Sequence, residues 1–227
     1  MTINCATLVP EGIRGLQPYQ PCKLVEELQR ELGLTDIIKL ASNENPLGPS
    51  ASVIEAIRSP GEALSRYPDG SAWQLKAELA AHLGVDSGQV TIGNGSNDVL
   101  ELLARLFLGP GSGAIVAEHA FVVYPLVATA LGADLAVIPA VDYGLDIAAT
   151  LATIDARTRC IFIANPNNPT GTWLDEASVR GLLRQVPGNV IVVLDEAYFE
   201  YVTEPDYPDG IKLMSEFPNL VVTRTFS

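Results

Sequence analysis

Cysteine, histidine and positive charge are the scarce commodities of this 227-residue chain. Its three cysteines, Cys5, Cys22 and Cys160, are odd in number, far apart and without a CxxC pair, and there are two histidines. That argues against a disulfide framework and against a zinc site; no metal is expected. Fourteen Lys and Arg stand against 27 Asp and Glu, for a formal net charge of −13 and a pI near 4.4. Nucleic acid and anionic membrane surfaces need clustered cations, so neither is an expected partner. An anionic ligand would have to be held locally, by backbone N–H groups, helix N-termini and a few placed cations. Long apolar runs are missing too: the longest mild stretch, Ala120 to Ala133, is too short to span a bilayer. The N-terminus lacks the basic region and apolar core of a signal peptide. A soluble protein of a reducing cytoplasm is expected.

What the chain does have is core. Hydrophobic residues make up 48% of it, and its length fits one large domain, or one domain and part of a second. Gly12, Gly15, Pro18 and Pro21 keep the N-terminal arm irregular until Val25, Leu28 and Leu32 fall on one helical face. A polar loop over residues 42–50 precedes helices predicted at Ala51–Arg58 and Trp73–Leu83. From Gln89 onward short apolar runs alternate with helical patterns. The runs are Val90–Ile92, Ala114–Ala117, Leu135–Ile138, Cys160–Ala164, Val190–Leu194 and Leu220–Thr223. Helical stripes at Val99, Leu102, Leu103 and Leu106, and at Val179, Leu182, Leu183 and Val186, lie between them. Unbroken β-branched runs separated by helices predict strands buried on both faces, hence a largely parallel α/β sheet. The last run has no helix after it to cover it, so more chain is expected beyond Ser227.

Four motifs follow predicted strands and invite chemistry. Gly93-Asn94-Gly95-Ser96 leads into a helix near Asn97, where close backbone approach, free N–H groups and the helix dipole suit a phosphate. The same residues also read as a capped strand-to-helix turn. Phe121 follows a strand and either stacks on a flat ring or fills core; neighbouring His119 reads as a surface or hydrogen-bonded residue. Asn165-Pro166-Asn167-Asn168-Pro169-Thr170-Gly171 is a rigid turn whose Asn168 could offer its amide to a ligand oxygen. Asp195 ends a buried strand at the edge where α/β proteins bind ligands. Its buried charge calls for a partner; a pyridinium nitrogen qualifies, and Asp195 reads equally as a helix cap or as half of a magnesium-binding pair with Glu196. Tyr198, three residues on, reaches the same ligand or belongs to the core.

Taken in order, these motifs resemble the cofactor cradle of the fold-type I pyridoxal-phosphate aminotransferases, nearest the histidinol-phosphate aminotransferase family. The resemblance runs from end to end and includes Gly12-Ile13-Arg14-Gly15-Leu16-Gln17-Pro18-Tyr19, Asn43-Glu44-Asn45-Pro46, Arg66-Tyr67-Pro68-Asp69 and Asp195-Glu196-Ala197-Tyr198. It implies a mostly parallel sheet flanked by helices. Residues 1–50 would form an arm and part of the small domain, and 51–227 an incomplete large domain that binds pyridoxal 5'-phosphate. It implies that Ser96 and Asn97 bind the phosphate, Phe121 stacks on the ring, and Asn168 and Tyr198 bond the 3-hydroxyl. Asp195 would pair with the pyridinium, and Thr225 and Ser227 would lie near the phosphate. Tyr67 would reach a partner subunit's cofactor, making the protein a homodimer, while Tyr19, Asn43 and Asn45 would line the substrate side.

The cofactor-bearing lysine is expected immediately after Ser227, and the arginine for the substrate carboxylate further on. Lys39, Lys76 and Lys212 stand outside the motif that the lysine requires. The implied reaction is transamination between histidinol phosphate and 2-oxoglutarate in histidine biosynthesis. An aromatic-amino-acid aminotransferase or a phosphate-substrate decarboxylase shares the cradle. A protein ending at Ser227 would be an inactive fragment.

Overall fold

The computed structural model describes residues 8–17, 23–59 and 61–227. Tyr19, Cys5 and Cys22 lie outside them. The described residues fall into two compact units, one drawn from Met1–Gln17 and Lys76–Ser227, the other from Pro18–Leu75.

The larger unit is built on five strands: β1 (Gly113–Ala117), β2 (Asp134–Ile138), β3 (Thr158–Ala164), β4 (Ile191–Asp195) and β5 (Leu220–Thr223). All neighbours pair in parallel in the order β2-β1-β3-β4-β5, as their β-branched runs predict. The helices of this unit are α1 (Glu11–Arg14), α5 (Ser96–Phe107), α6 (Val123–Ala130), α7 (Ile147–Thr153), α8 (Glu176–Leu183) and α9 (Gly210–Leu213). Helix α4 (Trp73–Leu83) runs across the boundary between the units, and α2 (Val25–Leu32) and α3 (Ala51–Arg58) belong to the smaller unit.

Strand alternation sends side chains to two separate cores. Ile115, Ile161, Ile163, Val192 and Leu194 join Val179, Leu182 and Leu183 of α8 and Leu213 of α9. Ala114, Val116, Cys160, Phe162 and Val193 join Leu100 and Ala104 of α5 and Tyr124 and Ala128 of α6. Full burial of each larger aliphatic or aromatic side chain contributes roughly 1.5–3 kcal/mol, so the middle strands β1, β3 and β4 anchor the sheet. The α8 stripe, including Val186, is buried as its spacing predicts. Helix α1 lies on α6 through Gly12, where a Cβ would stand 2.1 Å from the Thr129 carbonyl oxygen.

Two expectations fail. Val90–Ile92 forms no strand: it follows a 3-10 turn at Ser87–Gln89 and runs as irregular backbone with no neighbouring strand to pair with among the described residues. The buried face of α5 is also rotated from the predicted stripe. Leu100 and Ala104 are fully buried, whereas Leu102 and Leu106 are exposed. The helix presents its small Ala104 to the sheet side, which permits closer packing than a leucine would. No helix among the described residues is long and apolar enough to cross a membrane.

Candidate functional site

Parallel strands collect their C-terminal ends along one edge of a sheet, and loops from that edge carry the ligand groups of α/β proteins. Asp195, Ala164 and Thr223 stand in register there. Asp195 has the strand parity of Val193, so its side chain faces α5 and α6.

The Asp195 carboxylate is buried. Its Oδ2 accepts a 2.7 Å hydrogen bond from the Tyr124 hydroxyl, and its Oδ1 is buried without a hydrogen-bond partner among the described residues. Desolvation pushes its pKa up, opposed by the hydroxyls of Tyr124 and Thr223 and the Ala197 N–H. The Thr223 hydroxyl is near enough to draw that pKa down, yet Oγ1 makes no hydrogen bond of standard geometry. Burial drives the Tyr124 phenol well above its ordinary pKa, with the Asp195 charge adding to the effect, so it stays a proton donor. Tyr124 stacks on Phe162 at 5.3 Å and meets Phe121 edge-on at 5.7 Å and 81°. Phe121 and Asp195, both singled out in the sequence, are thus joined by a residue that was not.

The first turn of α5 is open. Its N-cap, Gly95, has φ 79° and supplies no side-chain bond. That backbone conformation suits glycine, and it leaves the leading N–H groups without the usual side-chain acceptor. A Cβ at Gly93 would come within 2.8 Å of Val99 Cγ2, so the turn needs a glycine there as well. Asp98 steadies the turn by accepting the Asn94 N–H at 3.0 Å. Asn97 lines an open cleft of ≈ 380 Å³ between α5 and α6, with Asn94, Val123 and Leu126.

The turn after β3 is rigid. Fully buried Asn165 donates to the Leu174 carbonyl at 3.1 Å and accepts the Leu174 N–H at 2.7 Å. Cis peptide bonds precede Pro166 and Pro169. Asn167 donates to the His119 carbonyl at 3.0 Å, tying this turn to the segment before Phe121. Asn168 is half-buried and holds no hydrogen bond among the described residues. Tyr198 is half-buried and lies close enough to Tyr124 to influence its ionisation. Thr225 and Ser227 hydrogen-bond each other at 2.8 Å. Asn43, Asn45 and Tyr67 belong to the smaller unit. Asn43 has φ 48°, Asn45 accepts the Leu47 N–H at 3.0 Å, and Tyr67 is 99% exposed.

On the opposite face of β4 lies a second buried charge, whose partner the sequence did not reveal. Glu196 is fully buried, and its Oε2 accepts from Arg224 Nε at 3.0 Å and Nη2 at 2.8 Å. Its Oε1 accepts the Gly210 N–H at 2.8 Å, and Arg224 Nη2 also reaches Asp209 at 2.9 Å. The guanidinium lies 3.5 Å from the Phe199 ring centroid. Burial pushes Glu196 up to about 7 even though Arg224 pulls it down. This cluster binds the start of the 224–227 segment to the loop before α9. The signal available in the sequence was Glu196 itself, an acid directly after a buried strand.

The profile of the family "Aminotransferase class I and II" matches residues 35–227. The chain is 52% identical over 229 residues to "Histidinol-phosphate aminotransferase 2" of Pseudomonas fluorescens (strain Pf0-1), covering 100% of the chain and 62% of that protein. It is 52% identical over 222 residues to the protein of the same name from Pseudomonas aeruginosa, covering 97% of the chain and 60% of that relative. Among solved structures it resembles histidinol-phosphate aminotransferase from Sinorhizobium meliloti in complex with pyridoxal-5'-phosphate. The TM-score is 0.84 at 29% identity, over 96% of this chain and 58% of that one. The chain therefore spans about three-fifths of the length of the curated relatives it matches. With the family profile matched over most of its length and a parallel sheet of the same architecture, the chain belongs to the class I and II aminotransferases.

Proposed function

We propose that the protein carrying this chain is a pyridoxal-phosphate-dependent aminotransferase of histidine biosynthesis that exchanges an amino group between two pairs, glutamate with 2-oxoglutarate and histidinol phosphate with its keto form, imidazole acetol phosphate. The observation that carries the cofactor half is the bare Oδ1 of Asp195, a buried acceptor awaiting a donor at the sheet edge. A protonated pyridine nitrogen is such a donor. The rest of the cradle fits the same molecule: Phe121 for the ring, the uncapped first turn of α5 for the phosphate, and the uncommitted Asn168 amide for a ring hydroxyl. The substrate half is supported by relatives about half identical over the whole chain that bear the histidinol-phosphate name.

When bound, pyridoxal phosphate supplies an electron sink that makes the α-proton of an amino acid removable. The residues of this chain hold and orient it. Asp195 keeps the ring nitrogen protonated, Ser96 and Asn97 with the α5 N–H groups take the phosphate, and Thr225 and Ser227 add hydroxyls. Phe121 lacks the hydroxyl of a tyrosine, so it can stack but cannot donate a bond. Asn168 and Tyr198 fix the ring's rotation. The lysine that carries the cofactor would follow Ser227.

The same proposal includes a homodimer in the cytoplasm. Tyr67, almost wholly exposed on its own chain, would serve the partner's site, and Tyr19, Asn43 and Asn45 would face substrate. It also includes the division into an arm with part of the small domain (1–50) and a large domain from residue 51. The test is amino transfer from glutamate to imidazole acetol phosphate, run beside phenylpyruvate. Turnover with the imidazole phosphate at least about 100-fold more efficient, the scale of two well-made polar contacts, is expected. Equal or better use of phenylpyruvate would overturn the substrate assignment in favour of an aromatic-amino-acid enzyme.

A further inference from the structure

We propose that Tyr124 is a positioning residue that holds the Asp195 side chain as an anion with its second oxygen open, and holds Phe121 at a fixed angle to it. This rests on the cofactor reading above, since it names the residue that prepares two members of that site.

Three observations converge on Tyr124. It is fully buried on α6, so its hydroxyl has no recourse to water. That hydroxyl donates to Asp195 Oδ2 at 2.7 Å while Oδ1 stays bare, so one oxygen is committed to the fold and the other left for a ligand. Its ring stacks on Phe162 at 5.3 Å and meets Phe121 in a T-shaped pair at 5.7 Å, so a shift of the phenol would be felt by both.

The charge argument follows. A carboxyl in this position tends toward the neutral acid, because burial raises its pKa. A neutral acid would be a poor partner for a pyridinium. The opposing contributions come from the hydroxyls of Tyr124 and Thr223 and the Ala197 N–H; of these, the Tyr124 bond is the one drawn from outside the β4–β5 edge. Tyr198 is the phenol that bears on Tyr124, while Glu196, Arg224 and Asp209, which bear on Tyr207, form a cluster of their own. No cation among the described residues is bonded to Asp195. Its ionisation is therefore sustained by neutral donors, with Tyr124 first among them.

The test is Tyr124→Phe in the full protein, which keeps the ring and removes the donor. Two quantities are read: the pH at which the Asp195 carboxyl ¹³C resonance titrates in cofactor-free protein, assigned with Asp195→Asn, and the dissociation constant for pyridoxal phosphate. A hydrogen bond to a charged group is worth enough to move the titration up by about one to two pH units and to weaken cofactor binding about 10- to 100-fold. Placing 3,5-difluorotyrosine at 124, a stronger donor of the same shape, should move the titration down instead, and serves where the phenylalanine variant does not fold. An Asp195 titration unmoved in either variant overturns the proposal. If the wild-type protein binds no pyridoxal phosphate, the cofactor reading fails, and this is seen separately because the carboxyl titration needs no ligand.

Discussion

Asp195→Ala is expected to lower amino-transfer turnover by about three powers of ten while changing unfolding free energy by less than about 2 kcal/mol. The asymmetry follows from the two ends of the carboxylate. Toward the fold, the Asp195 carboxylate makes one hydrogen bond of standard geometry, from Tyr124, and losing it leaves a buried phenol unsatisfied at a cost of roughly 1–3 kcal/mol. That cost is offset in part because a desolvated carboxylate with a bare oxygen is itself unfavourable. Toward the ligand, the loss is of the buried charge proposed to hold a pyridinium. Removing one partner of a buried ion pair costs roughly 3–5 kcal/mol, and each 1.36 kcal/mol is about tenfold in rate. Urea unfolding and single-substrate kinetics on the same preparation check both halves. Turnover within about tenfold of wild type would remove Asp195 from the mechanism.

Arg224→Met should do the reverse, striking the fold hardest, and by an amount that depends on pH. Glu196 is fully enclosed, and Arg224 supplies both charge-assisted bonds to its Oε2. In the wild type the Glu196 pKa stands at about 7, above the ordinary carboxylate value. Such a group releases its proton on unfolding at intermediate pH, so its contribution to stability falls as pH rises from about 4.5 to 7 and is level above that. Arg224 is what draws that pKa down. Without it the pKa climbs further, and stability goes on falling above pH 7. The variant is therefore expected to lose about 3–5 kcal/mol at alkaline pH, the scale for an unpaired buried charge, and distinctly less near pH 5, where Glu196 is neutral in both proteins. Denaturant unfolding at pH 5.5 and pH 8.5 measures the difference. A loss equal at both values would show that Arg224 acts by packing on Phe199 and not by neutralising Glu196.

The parts of this molecule that were legible in the sequence are those set by local pattern. Each β-branched run that gained a parallel neighbour became a strand, because burial on both faces selects such residues. Val90–Ile92 has the same composition and gained no neighbour, so composition alone misled. The α5 stripe was misplaced because leucines at 100, 102, 103 and 106 offer more than one apolar face, and the choice is made by Ala104, whose small size is informative only once the sheet is known. Asp195 could be placed at the ligand edge from its position after a strand. Tyr124 could not be linked to it, because 71 residues separate them and nothing in a tyrosine three positions past Phe121 announces a carboxylate. The Glu196–Arg224–Asp209 cluster was hidden for the same reason: its members are 13 to 28 residues apart and meet only when β5 lies beside β4.

The most direct measurement is equilibrium binding of pyridoxal phosphate to the purified protein, followed by its visible absorbance and by stoichiometry after dialysis. One cofactor per chain is predicted, retained through dialysis by the wild type and lost from Asp195→Ala. A protein that stays colourless at saturating cofactor, or an Asp195→Ala variant that retains it as firmly as wild type, would contradict the assignment of this sheet edge as the cofactor site.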